Sequence, residues 1–153
     1  MNLNKIVILD NLRSAHNVGN IYRSAYSFGF DCVIHVGVTP LTDNPKFLSS
    51  SRGCEKHLKT MFFEEISKAI EFALSEKAVV YSLEMNEKSV KLTDFNCFGD
   101  YAVVLGNEAL GVSEAALEKS DKIISIETTG AKESLNVAVA FGIFAYSMFL
   151  KNK

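Results

Sequence analysis

Short apolar runs rich in β-branched residues, separated by helical patterns, constrain this chain more than any other feature. Residues 5–9 (KIVIL), 32–36 (CVIHV), 78–83 (AVVYSL), 101–105 (YAVVL) and 122–126 (KIISI) read as strands, with a further strand near 60–62. Between them, Val18, Ile21, Tyr22, Ala25 and Phe28 recur at helical spacing, and Gly29 follows as a helix stop. Ile66, Ala69, Ile70 and Ala73 mark one face of a helix over 64–74, and residues 40–45 read as a loop. Ser113 can cap a short helix containing Leu117, and Ser134 can open a last helix. Strands alternating with helices predict a single α/β domain over 1–153, its mostly parallel sheet flanked by helices. In such sheets ligands bind beyond the carboxyl ends of the strands, so the loops after Leu9, Leu83, Leu105 and Ile126 are the ones that can carry chemistry.

The last helix adds a second constraint. From residue 135 to residue 150, 13 of 16 residues are apolar, and they occupy every face. A helix covering a sheet needs one apolar stripe, so the surplus predicts a homodimer packed through residues 135–150, the alternative being a central buried helix in a monomer. The stretch is too short for a membrane span, and residues 1–5 show no leader pattern; a cytoplasmic protein without a membrane partner is expected. Cys32, Cys54 and Cys97 form no CxxC pair and have no ligand spacing with His16, His35 or His57, so neither a disulfide framework nor a metal site is expected. The net charge is −2. An RNA partner would therefore have to be met by a local patch rather than by overall charge.

Three loops combine polar residues with strand ends. Residues 11–25 (NLRSAHNVGNIYRSA) run from a strand end into a helix N-terminus, where backbone N–H groups favour anions and Arg13 and Arg23 add guanidinium forks. Asn17 is a candidate helix cap as well as a site residue, and Arg23 reads equally as a solvated surface arginine. Residues 106–113 (GNEALGVS) nearly match a phosphate-binding loop, but Val112 stands where the lysine is required, and no GxGxxG occurs anywhere. What remains is a glycine-punctuated turn presenting Asn107 and Glu108, compatible with close backbone approach to a ligand or with a plain surface turn. Residues 126–137 (IETTGAKESLNV) end a strand and lead through a Thr/Gly loop to Ser134 and Asn136; a polar amide at the head of an apolar helix needs partners. Residues 49–59 (SSSRGCEKHLK) supply the main basic patch, Arg52, Lys56, His57 and Lys59 with Lys46 nearby, either a solvated face or a contact for an RNA backbone.

Taken in order, these loops resemble the motifs of the SpoU-type RNA 2′-O-ribose methyltransferases of the SPOUT superfamily. The first resembles Asn17-Val18-Gly19-Asn20 with Arg23, the second Leu105-Gly106-Asn107-Glu108 with Gly111, and the third Ser134-Leu135-Asn136-Val137 following Ile126; Ser51-Arg52-Gly53 is also similar to a family segment. The resemblance spans nearly the whole chain. It implies a deep trefoil knot in the C-terminal part of the α/β fold, a rare exception to the rule against knots. It implies S-adenosylmethionine held by Leu83, Gly106, Asn107, Ile126, Ser134 and Leu135, largely through backbone groups. It implies transfer of the methyl group to a ribose 2′-oxygen of RNA, tRNA ahead of rRNA, and a dimer. The catalytic set it implies is Arg23, Asn17, Glu108, Ser134 and Asn136, with Arg13, Arg52, Lys56 and Lys59 on the RNA. A guanidinium stays charged, so Arg23 is expected to orient the hydroxyl and an adjacent phosphate rather than to accept the proton. Glu127-Thr128 stand where the family has Pro-Met, and a single domain without the N-terminal RNA-binding extension of larger members is expected. The substituted dipeptide leaves one alternative, a protein of the same fold that binds RNA or cofactor with impaired catalysis.

Overall fold

A computed structural model describes residues 2–130 and 134–153. Its strands are β1 (Lys5–Asp10), β2 (Cys32–Val36), β3 (Lys59–Phe63), β4 (Val79–Leu83), β5 (Val90–Lys91), β6 (Tyr101–Gly106) and β7 (Lys122–Ser125). They form one 7-stranded sheet in the order β3-β2-β1-β6-β4-β7-β5, and every pairing is parallel. The helices are α1 (Ala15–Ser27), α2 (Pro45–Ser51), α3 (Ile66–Ser75), α4 (Glu114–Lys119) and α5 (Val137–Lys151).

Successive strand residues face opposite sides, and the core divides accordingly. Val7, Leu9, Val33, Val103 and Leu105 pack with the apolar stripes of α1 and α5 and with Phe47 of α2. Ile6, Ile8, Ile34, Ala102 and Val104 pack with Ala69, Ile70 and Ala73 of α3 and Ala116 of α4. Burial on both faces explains why the central strands read as continuous apolar runs. Register places the strand ends on one line: Leu9 pairs with Leu105, Leu105 with Leu83, and Leu83 with Ile124. The three polar loops therefore leave the same end of the sheet, the first two from neighbouring strands and the third from β7, which is separated from β6 by β4.

The structure corrects the expected elements at several points. Residues 45–51, where no helix was expected, form α2 directly after the expected loop, with Pro45 in its first turn and the Asn44 side chain accepting from the Lys46 N–H at 2.9 Å. The two-residue β5 was not expected. Ser113 precedes α4 but makes no capping bond through its side chain. The last helix opens at Asn136 rather than Ser134: the Asn136 Oδ1 accepts from the N–H groups of Ala138 and Val139 at 2.9 and 3.2 Å. Ala131, Lys132 and Glu133 of the expected Thr/Gly loop, and Met1, lie outside the described residues.

On α5, Ala138, Phe141, Phe144, Ala145 and Met148 are buried, and Phe141 and Phe144 meet Phe30 and Tyr101 edge-on. The surplus apolar residues form an exposed stripe at helical spacing, Val139 (51% exposed), Ile143 (41%), Tyr146 (50%) and Leu150 (49%). No helix among the described residues is long and apolar enough to cross a membrane, and no cluster of three or more His, Cys, Asp or Glu side chains able to hold a metal occurs among them.

Candidate active site

β1 ends at a buried aspartate, Asp10, and turns through Asn11 in the left-handed region at φ 58°. The Asp10 Oδ2 accepts the Ser113 N–H at 2.9 Å, which ties the start of α4 to the first loop. The Asn107 Nδ2 donates to the Asn11 carbonyl at 2.7 Å, while its Oδ1 accepts from the Ala109 and Leu110 N–H groups at 2.8 and 2.9 Å. One asparagine thus closes the second loop and binds it to the first. Gly106 and Gly111 make this turn possible. A Cβ on Gly106 would collide with the backbone of Gly111 and Val112, and Gly111 sits at φ 74° against the Glu84 carboxylate.

Glu108 is the centre of a second tie. Its Oε1 accepts the Arg13 N–H and its Oε2 the Ser14 N–H, both at 2.9 Å, and the Oε2 also accepts from the Asn17 Nδ2 at 3.1 Å. The carboxylate therefore sits on the free N–H groups at the start of α1, where the helix dipole favours negative charge. Partial burial pushes this carboxyl up, but the hydrogen bonds from Arg13, Ser14 and Asn17 outweigh it and hold Glu108 below the usual carboxylate range. Ser14, not Asn17, caps α1, accepting the Asn17 N–H at 3.2 Å; the Asn17 side chain is left to face the third loop. There the Asn136 Nδ2 donates to the Asn17 Oδ1 at 3.1 Å. The order Asn136, Asn17, Glu108 is one continuous hydrogen-bonded path through residues from all three loops.

This path borders a cleft of about 620 Å³ beyond the strand ends, of a size suited to a small organic cofactor. Leu83, Gly106, Asn107, Ile126, Ser134 and Leu135, the residues expected to hold a cofactor, all line it, as do Glu108 and Asn136. Glu84 and Thr128 were missed. Glu84 follows β4 and accepts the Val112 N–H on Oε2 at 2.9 Å and the Met85 N–H on Oε1 at 3.0 Å, securing the turn from below. No motif flags a glutamate at such a place, although its position after a strand end could have. The altered dipeptide is split between two surroundings: Thr128 lines the cleft, whereas Glu127 turns to an ion pair with Lys91 at 2.8 Å.

Arg23 is not among the cleft-lining residues. It lies six residues beyond Asn17 on α1, about 9 Å along the axis and about 120° around it, and is exposed. Among the described residues its side chain makes no hydrogen bond or salt bridge, so the expected convergence holds for Asn17, Glu108 and Asn136 and not for Arg23 within a single chain. Arg13 is exposed at the head of α1. Arg52, Lys56 and Lys59 are exposed at the end of α2, in the 3₁₀ turn Cys54–His57 and at the start of β3. Beneath them, the His35 Nδ1 lies 2.8 Å from the Pro40 carbonyl, which can only accept, so the Nε2 of the neutral ring accepts from the Tyr22 hydroxyl at 2.7 Å. Burial, opposed by the Pro40 bond, pushes His35 down to about 4.

Comparison with known proteins adds the following. Residues 4–146 match the SpoU rRNA Methylase family. An uncharacterized tRNA/rRNA methyltransferase of Borreliella burgdorferi is 31% identical over 143 residues, covering 94% of this chain and 62% of that protein. The 23S rRNA (guanosine-2′-O-)-methyltransferase RlmB of Coxiella burnetii is 31% identical over 150 residues, covering 94% of this chain and 57% of that protein. The solved SpoU methyltransferase AviRb of Streptomyces viridochromogenes superposes with a TM-score of 0.89 at 24% identity, over 98% of this chain and 60% of that one. The chain thus spans about three fifths of the length of these three relatives.

Proposed function

The chain belongs to the SpoU rRNA methylase family, and on that premise we propose that it transfers the methyl group of S-adenosylmethionine to a ribose 2′-hydroxyl of RNA. The observation that carries this reading is the path Asn136, Asn17, Glu108, which ties three distant loops to the mouth of one cleft. The cleft suits the cofactor. Leu83, Leu105, Ile124, Ile126 and Leu135 offer apolar walls for an adenine, and Glu84, Ser125, Thr128 and Ser134 offer polar groups for ribose and amino-acid atoms. Leu83, Gly106, Asn107, Ile126, Ser134 and Leu135 would hold it, and when bound it supplies an electrophilic methyl group. Because Glu127 is drawn to Lys91, the substituted dipeptide adds no carboxylate to the cofactor walls.

The chain's own residues must then place the ribose. Asn17, Glu108, Ser134 and Asn136 fix the rim at which the hydroxyl enters. Arg23, on the exposed side of α1, orients that hydroxyl and the adjacent phosphate and lowers the cost of the forming alkoxide. Arg13, Arg52, Lys56 and Lys59 contact the RNA backbone. The strand order supports a knotted C-terminal part: the chain passes from β4 beyond β7 to β5, returns to β6, then crosses β4 to reach β7. The exposed stripe Val139, Ile143, Tyr146 and Leu150 supports a homodimer through α5, which sedimentation would show as a concentration-independent dimer at micromolar protein.

We put tRNA ahead of rRNA as substrate. Mapping ribose methylations in cells with and without the gene tests the whole reading. Loss of a 2′-O-methyl group at a tRNA position is expected. Loss at an rRNA position would correct the substrate alone, and unchanged maps would reject the activity.

A further inference from the structure

With the ribose near Arg23, the neighbouring base needs a surface of its own. One turn beyond Arg23, at Tyr26, α1 meets the 3₁₀ turn Cys54–His57. The Tyr26 and His57 rings lie 4.9 Å apart between centroids and 24° from parallel, a stacked pair. Both residues are exposed, Tyr26 to 48%, and neither side chain makes a hydrogen bond among the described residues. A single half-exposed tyrosine is ordinary. A stacked aromatic pair bordered by cations is not. Lys56 precedes His57, Lys59 follows it, Arg52 ends α2, and Arg23 stands three residues before Tyr26 on a neighbouring ridge of α1. The acidic residue of the same turn, Glu55, is engaged by the Ser51 hydroxyl at 2.6 Å.

We propose that the Tyr26–His57 stack is a base-stacking subsite for an unpaired RNA nucleotide next to the one methylated. Each ring fixes the tilt of the other, so a flat π-face is presented without the entropy cost of ordering a free side chain. Every base has a π-face, so such a platform accepts sequence broadly but requires the base to be unpaired. Arg52, Lys56 and Lys59 lie where phosphates on either side of the stacked base would run. The inference rests on the RNA reading given above and deepens it: substrate is selected as single-stranded or loop RNA at this point, not as a helix.

The test uses a 12-nucleotide single-stranded RNA with a central 2-aminopurine and the matching blunt RNA duplex, against the full chain. The wild type should bind the single strand with quenching of the 2-aminopurine. Tyr26→Ala and His57→Ala, shown folded by circular dichroism, should each weaken single-strand binding roughly 10-fold and lose the quenching. Tyr26→Phe should stay within about 2-fold of wild type, and duplex affinity should change less than about 2-fold in all variants. Single-strand binding and quenching unchanged in both folded alanine variants would overturn the subsite, as would equal losses on the duplex. A changed sedimentation coefficient with unchanged RNA affinity would also overturn it, marking the pair as a protein contact. The two readings separate cleanly: quenching that follows the variants without any methyl transfer supports the subsite and sinks the enzyme. Methyl transfer with quenching indifferent to the variants does the reverse.

Discussion

The cleft beyond the strand ends and the basic patch of this molecule are built on opposite principles. Around the cleft, polar side chains are committed to backbone partners: Asp10 to Ser113, Glu84 to Val112, Asn107 to Asn11, Glu108 to Arg13 and Ser14, Asn136 to the first turn of α5. Across the patch on α1, the 3₁₀ turn and β3, the side chains of Arg23, Arg52, Lys56 and Lys59 have no hydrogen-bond or ion-pair partner among the described residues. A pocket for a small rigid ligand gains from being set before binding, whereas a surface for a long flexible polyanion gains from mobile cations. The patch is nonetheless fixed from below by His35, Tyr22 and Thr60.

Substitutions can break this contrast. The largest effect is expected from Arg23→Ala, which should lower methyl transfer about 100-fold or more while S-adenosylmethionine binding by calorimetry stays within about 2-fold, because Arg23 lies outside the cleft. Gly106→Ala should do the converse, weakening cofactor binding at least about 10-fold, since its methyl group displaces the Gly111–Val112 backbone. The acid limb of stability should report the buried histidine. His35 is neutral in the fold with its pKa pushed down to about 4, while the unfolded chain takes up a proton below about 6.5. Stability should therefore be flat above about pH 6.5 and fall by up to about 3 kcal/mol as pH drops to about 4, read by urea unfolding. His35→Gln should flatten that limb.

Smaller effects follow at the cap and on the surface. Glu108→Gln should cost about 1 kcal/mol or less at pH 7. Its folded pKa is lowered, so its contribution is present above the unfolded value near 4.5 and is lost as pH falls through the folded one; the difference between variant and wild type should close once pH lies below the folded value. Arg52→Ala with Lys56→Ala should reduce the slope of log affinity for RNA against log salt by about 1.5 and leave cofactor binding unchanged.

Much of the α/β frame was legible because apolar runs and helical stripes report burial directly: 32–36 coincides with β2, and the end of α1 falls just before Gly29. α2 was hidden by its composition, a proline followed by three serines, since its stability comes from Phe47 in the core rather than from helix propensity. β5 was hidden by its length. At the site, Asn17, Glu108 and Asn136 were legible as motif members, but which asparagine caps which helix was not. Ser14 and Asn136 take the caps because local geometry, not residue preference, decides among several competent side chains. Glu84 lay outside every motif. The motif grouped Arg23 with Asn17, whereas 3.6 residues per turn already put it around the helix, so here spacing was the better guide than the resemblance.

Three interlocked loops are proposed to form one site where a methyl group meets a ribose oxygen. Purified protein given methyl-labelled S-adenosylmethionine and RNA from cells lacking the gene tests it most directly, with Asn136→Ala as the paired variant. The label should appear in a 2′-O-methylnucleoside after digestion, and the variant, which breaks the path at Asn17, should transfer it at least about 10-fold more slowly. Label found on a base, or equal rates for variant and wild type, would contradict it.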